Sequence, residues 1–175
     1  LGECLGGSYV RRRASRVIAL DAVARTQAEE EGFDTERIHV LPGGVNLGHY
    51  RPDLTSPLPT QHGIRGRILL HLGRLDHGRG LEVLVEAFAH TVGRREGWTL
   101  VMAGTGPAAH HLRAQASRLG IGASVCWLRT PREEELPGLL AASTLLVSPC
   151  LEDDVSGWRV RRALACGLPV LAGRG

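Results

Sequence analysis

Arg74 and Arg79 stand on a stretch, Gly73-Arg74-Leu75-Asp76-His77-Gly78-Arg79-Gly80, that separates an apolar run from a helical pattern. Ile68 to Leu72 reads as a buried strand, and Leu81, Leu84, Val85, Phe88 and Val92 recur at the spacing of one apolar helix face. Strand, glycine-bearing turn and helix start together offer free backbone N–H groups and the positive end of a helix dipole. Two guanidinium groups on such a turn can clamp a diphosphate, because each presents a fork of donors matched to phosphate oxygens. The chemistry expected here is anion binding, with Gly73, Arg74 and Arg79 around the anion.

A second constellation runs from Leu145 to Ala172: a buried strand, an acidic loop, a short helix closed by Gly167 and a second apolar strand, which is one βαβ unit. Its loop carries Glu152, Asp153 and Asp154. A loop at the carboxyl end of a parallel strand is where an open α/β sheet places its ligand, so Asp154 is a site candidate and its two neighbours could substitute for it. On the helix, Arg159, Arg161 and Arg162 read as the wet side and Val160, Ala163 and Leu164 as the dry side.

A third is Gly104-Thr105-Gly106-Pro107-Ala108-Ala109, after the strand Thr99 to Ala103. It satisfies the G-x-G-x-x-A dinucleotide fingerprint, and Arg129 at the end of the next strand could meet an NADP 2′-phosphate. Against that alternative, the turn is not the first βα turn of the chain, and Pro107 removes one N–H donor. Glycines serving only the turn's backbone geometry are a further alternative. Among the histidines, His71 sits in a buried strand and is expected to be a hydrogen-bonded core residue. His110 and His111 point about 100° apart on a helix and make no metal pair. His77, within the anion turn, is the one to test for ligand contact.

The elements that would position these residues are βα repeats. Arg16 to Leu20 and Ile38 to Leu41 read as short strands flanking a helix from Ala22 to Glu31, with Asp21 as its N-cap and Gly32 as its stop. Asp53 to Gly66 is rich in Pro, Ser, Thr and Gly and reads as a linker, so residues 1–52 and 53–175 are expected to be separate domains. The Glu133-Glu134-Glu135 run is expected to open a short helix through Ala142, its acids complementing the helix dipole. The chain has 175 residues, a net charge of +3 and 21 basic residues, every one of them arginine. Interspersed charge of that size gives no support for nucleic-acid binding, and Arg11-Arg12-Arg13 reads as a solvated face. Cys4, Cys126, Cys150 and Cys166 show no metal spacing and suit reduced thiols in a cytoplasmic protein. No apolar run approaches the ~18 residues of a spanning helix. Both ends read as cut, so a fragment of a longer protein is expected.

Ser148-Pro149, Asp154-Val155-Ser156-Gly157 and Arg162-Ala163-Leu164-Ala165-Cys166-Gly167-Leu168-Pro169-Val170 together resemble the sugar-nucleotide segment of the GT-B glycosyltransferases of group 1, also called family 4. In that family an acid, seven intervening residues and a second acid precede a small-residue helix and a Gly-x-Pro-Val strand. Asp154 falls at the first acid and Arg162 at the second. Residues 73–80 are similar to the family's Gly-Arg-Leu…Lys-Gly motif, with Arg74 at its Arg and Arg79 at its Lys, and Gly104 to Pro107 to a Gly-x-Gly-Pro turn passing close to the nucleotide. Pro42 to Asn46 with His49 to Pro52 resembles the Asn-Gly-Val-Asp…Phe-x-Pro turn between acceptor-side and nucleotide-side domains, Gly43 and Asn46 replacing its Asn and Asp.

The resemblance implies an α/β, Rossmann-like parallel sheet flanked by helices, with a remnant of the N-terminal domain. It also implies a retaining transfer of a sugar from a UDP- or GDP-linked donor to a hydroxyl acceptor, without a metal or other cofactor. Asp154 would hydrogen-bond the transferred sugar, one methylene shorter than the usual Glu, and Arg74 and Arg79 would stabilise the departing diphosphate. Gly73, Gly104 and Gly106 would border the nucleotide. Arg162 departs from the pattern: a guanidinium has donors only, so it cannot accept from ribose hydroxyls, a loss worth about 1.5–3 kcal/mol. A degenerate binding module without catalysis, and a sugar-nucleotide epimerase on the same fold, are the other readings. The implied partners are the donor and a glycan, lipid or small-molecule acceptor, with peripheral membrane association left open. The isolated fragment is expected not to turn over.

Overall fold

In the computed structural model, which describes residues 5–92, 95, 97–149 and 157–173, the chain divides into two compact units between Gly44 and Val45. The smaller unit holds α1 (Leu5–Arg13), β1 (Val17–Ala19), α2 (Ala22–Glu30) and β2 (Ile38–Val40), the two strands pairing in parallel. Asp21 starts α2 as expected. Its extended backbone, φ −156°, lets the carboxylate accept from the Ala24 N–H at 2.7 Å.

The larger unit runs α3 (Leu58–Gln61), β3 (Arg67–Leu72), α4 (Leu81–Thr91), β4 (Trp98–Ala103), α5 (Ala109–Arg118), β5 (Val125–Leu128), α6 (Leu136–Ala141), β6 (Leu145–Ser148), α7 (Trp158–Ala165) and β7 (Val170–Ala172). Its five strands form one parallel sheet in the order β5-β4-β3-β6-β7. Strand side chains alternate between faces, and a parallel sheet needs both faces covered. Leu100 and Met102 pack with Phe88 of α4 and Leu112 of α5, while Leu70, Leu72, Val101 and Ala103 pack with Leu139 and Leu140 of α6 and Ala163 of α7. Each of the leucine, valine, methionine and phenylalanine side chains among them contributes about 1.5–3 kcal/mol by leaving water. The expected stripe of α4 is buried at Leu81, Leu84, Val85 and Phe88.

From β3 the chain builds outward through β4 and β5, then returns to place β6 and β7 on the other flank of β3. The strand order therefore reverses between β3 and β6. Such a reversal leaves a crevice outside the strands' carboxyl ends, where open α/β sheets bind ligands.

Three expectations are corrected. The boundary between units falls before Val45 rather than at 52/53, because Tyr50 is only 3% exposed and joins the cluster of Leu139 and Leu140, with Val45 packed against it. Burial of an aromatic ring outweighs the shift to linker-like composition after it. Helix α6 begins at Leu136, after the acidic run: Glu135 reaches back instead, accepting from the Arg132 N–H at 2.9 Å and from its Nη2 at 2.8 Å. On α7 the sides are redrawn, for Arg159 is buried beside Ala163 whereas Leu164 is 58% exposed. Among the described residues no helix is long and apolar enough to cross a membrane. Cys126 and Cys166 are free thiols; Cys4 and Cys150 lie outside the described residues.

Candidate functional site

The turns that leave β3, β4 and β5 are laced together above the sheet. Gly73 N–H donates to Ala103 O at 3.0 Å, Leu75 N–H to Thr105 O at 3.0 Å, Gly104 N–H to Leu128 O at 3.0 Å and Ala108 N–H to Leu75 O at 2.8 Å. Two of the predicted glycines are consumed by this lacing. A Cβ on Gly104 would strike the Gly73 carbonyl oxygen, and one on Gly106 the Leu75 carbonyl. The Gly104 to Ala109 turn is thus spent on a neighbouring turn's backbone, an ample reason for its glycines without a dinucleotide.

Arg74 and Arg79 meet on one acid. Arg74 donates to Asp76 from Nε at 2.9 Å and from Nη2 at 3.1 Å, a bidentate fork, and Arg79 Nε lies 3.5 Å from the same carboxylate. Hydrogen bonds from Arg74, then the charges of Arg74, Arg79 and His77, hold the Asp76 carboxyl below the ordinary carboxylate range. Gly80 caps α4 in the left-handed region, φ 70°, with no side-chain cap; Leu84 N–H bonds back to its carbonyl at 3.0 Å. The first-turn N–H groups before Leu84 therefore lack helical partners. A Cβ on Gly80 would sit 3.0 Å from the Pro149 Cβ, so this helix start abuts the end of β6. The turn after β3 accordingly borders the crevice between β3 and β6. Asp154, with Glu152 and Asp153, lies outside the described residues.

A cleft of about 270 Å³ opens here, lined by Gly73, Arg74, Thr105, Thr130, Trp158 and Arg159 among others. Arg159 is the residue that sequence reasoning missed. Its Nη1 donates to the Leu72 carbonyl, the last of β3, at 3.0 Å, and a Cβ on Gly73 would collide with that nitrogen. The signal lay in spacing: Arg159, Ala163 and Cys166 fall at i, i+4 and i+7, one face of α7 turned to the sheet. His71 is buried as expected, Nδ1 3.2 Å from Val147 O, and burial lowers its pKa to about 4, so it is neutral at pH 7. His77 turns to Glu82, 3.5 Å away, and its ring lies 6.1 Å from that of His111.

Arg162 is engaged by side chains of its own unit. It pairs with Glu133 at 3.0 Å and stacks 4.5 Å from the Trp158 ring centroid and 4.9 Å from that of Tyr50. Arg162→Glu sets two carboxylates face to face. The expected result in chemical denaturation at pH 7 is a loss of about 1 kcal/mol, since like-charge repulsion replaces a partly exposed pair. Repulsion needs both groups ionised, so the loss fades as pH falls below about 4. An unchanged denaturation midpoint at pH 7 would show that the pair does not act in solution.

A family model described as glycosyl transferases group 1 matches residues 59–174. The GDP-mannose-dependent alpha-(1-6)-phosphatidylinositol monomannoside mannosyltransferase of Mycolicibacterium smegmatis is 32% identical over 143 residues, covering 77% of this chain and 37% of that protein. The D-inositol 3-phosphate glycosyltransferase of Nocardia farcinica is 30% identical, covering 96% of this chain and 39% of that protein. The crystal structure of Anabaena HepE in complex with UDP and glucose matches with a TM-score of 0.76 and 26% identity, over 96% of this chain and 47% of that one. The chain thus spans less than half the length of these relatives.

Proposed function

The chain belongs to the group 1 glycosyltransferases, and from that premise we propose that its larger unit binds the diphosphate of a UDP- or GDP-linked sugar, which the whole protein transfers to a hydroxyl acceptor with retention of configuration. The observation that carries this is the placement of Arg74 and Arg79, joined through Asp76, beside the start of α4 at the reversal between β3 and β6. Charge that develops on a departing diphosphate is stabilised there by groups already in position, with no reorganisation at the moment of reaction. The arginines supply that charge, and the reading asks for no metal cofactor. Asp154 keeps its proposed contact with the transferred sugar, and the bordering glycines let the backbone approach. UDP in HepE and GDP-mannose in the mycolicibacterial relative's name support both nucleotides as donors. The relatives' names also support a phosphorylated inositol or lipid acceptor.

Calorimetry with UDP-glucose, GDP-mannose and NADP tests this. A nucleoside diphosphate sugar is expected to bind, NADP not, and Arg74→Ala to weaken the binding about 10–100-fold through loss of a charge-assisted fork. Unchanged affinity in Arg74→Ala discards the role given to that turn. The engagement of Arg162 by Glu133 favours one second reading, a domain that binds the donor without transferring it. Incubating the full-length protein with radiolabelled donor and acceptor extracts separates the two, since only the enzyme yields product.

A further inference from the structure

We propose that Trp158 is the platform on which the ligand's nucleobase stacks, an inference that rests on the donor-binding reading above. Nothing in the motifs marks this residue; its place in the fold does. Trp158 opens α7 and lines the same cleft as Gly73 and Arg74, with Thr105 and Thr130 in the same wall. It is 38% exposed, whereas Trp98 and Trp127, the other two tryptophans of the chain, are half-buried. An indole kept at a cleft wall is unusual, because burying so large a ring removes much apolar surface from water.

The ring is braced by the packed unit. The Arg162 guanidinium carbon lies 4.5 Å from the Trp158 ring centroid and 4.9 Å from that of Tyr50, so one guanidinium joins a core ring that is 3% exposed to the ring at the cleft. Glu133 fixes this column at its middle, pairing with Arg162 at 3.0 Å and accepting from the Tyr50 hydroxyl at 2.8 Å. Arginine stacks on aromatic faces while its donors serve a carboxylate, so both contacts are made at once. Arg159 stands farther off, 5.8 Å from the Trp158 centroid, and Trp158 keeps its exposure beside it. An aromatic side chain braced this way is ordered before a ligand arrives, so little side-chain freedom is lost on binding. Its chemistry also selects the part of the ligand. Phosphates go to the arginine-bearing turn after β3, and the flat aromatic portion of a nucleotide is its base, which stacks on an indole whatever groups its edge carries. Thr105 and Thr130 add hydrogen-bonding side chains to the same wall.

The test is titration calorimetry of the full-length protein with GDP-mannose, GDP, UDP and inorganic pyrophosphate, on the wild type, Trp158→Leu and Trp158→Phe. Trp158→Leu is expected to lose about tenfold in affinity for all three nucleotides and nothing for pyrophosphate. Trp158→Phe should recover most of the loss, since a smaller aromatic face still stacks. Full nucleotide affinity in Trp158→Leu overturns the platform and leaves the donor-binding reading standing. A loss confined to GDP-mannose also overturns it, for the ring would then serve the sugar, and so does an equal loss for pyrophosphate, which marks damage to the cleft. A wild type that binds neither pyrophosphate nor any nucleotide overturns both readings. Should Trp158→Leu fail to fold, fluorescence decides between Trp158→Phe and Trp98→Phe, the latter altered at the first residue of β4. The change that GDP causes in the wild type is expected to shrink in the first and stay whole in the second, and a change equal in both rejects the stack.

Discussion

Gly104→Ala is expected to cost about 3 kcal/mol of folding stability, at the top of the range for overpacking with strain, and to abolish ligand binding with it. The added methyl meets the Gly73 carbonyl oxygen, a backbone atom with little freedom to yield because Gly73 N–H is itself bonded to Ala103 O at 3.0 Å. Relief requires the turns after β3 and β4 to separate. That movement would break the Leu75 to Thr105 and Ala108 to Leu75 bonds and carry Arg74 away from the cleft. Gly44→Ala is the control, for a Cβ there meets nothing within 4 Å. Denaturant midpoints at constant slope give both values. Equal, small losses in the two variants would mean that the turns are not laced as described.

Most of what positions the site is written locally. The stripe of α4 and the N-cap at Asp21 are contiguous patterns, and contiguity makes them legible: Leu81, Leu84, Val85 and Phe88 are buried on the side their spacing assigns, and Asp21 accepts from the Ala24 N–H. The role of Gly104 is half legible. A glycine-requiring turn shows in the sequence, but the reason depends on Leu72 pairing with Ala103, which sets Gly73 beside Gly104. Register between strands is a property of the sheet, absent from either segment alone.

Arg159 and Glu133 were illegible for a different reason. Assigning helix faces by residue type sends every arginine to water, whereas a long side chain at the head of α7 reaches the carboxyl end of β3, 87 residues earlier in sequence. By residue type the Glu133 carboxylate suits a helix dipole, yet α6 starts later and the carboxylate serves Tyr50 and Arg162. Both depend on partners that only the packed unit brings near.

Tyr50→Ala is the substitution that tests where the larger unit begins, and its expected cost is about 3–5 kcal/mol, that of removing a buried aromatic ring. Tyr50 packs with Leu139, Leu140 and Ala163, donates its hydroxyl to Glu133 Oε1 at 2.8 Å and lies under the Arg162 guanidinium. Burial first, then the hydrogen bond to Glu133, pushes its pKa up to about 12, so the hydroxyl is a donor at every working pH. Tyr50→Phe keeps the ring and drops that bond, for about 1 kcal/mol. The two variants also differ from the wild type in acid. The Tyr50 hydroxyl, then the charge and hydrogen bond of Arg162, hold the Glu133 carboxyl below its ordinary range. A carboxyl lowered in the folded state stabilises fully above its unfolded pKa, near 4.3, and loses that contribution as pH falls through the lower folded value. The Tyr50→Phe difference is therefore complete at pH 7 and shrinks in acid, while the cavity part of Tyr50→Ala persists at both. If Tyr50→Ala costs no more than Tyr50→Phe at pH 7, the ring is not part of the core, and the larger unit begins after Pro52.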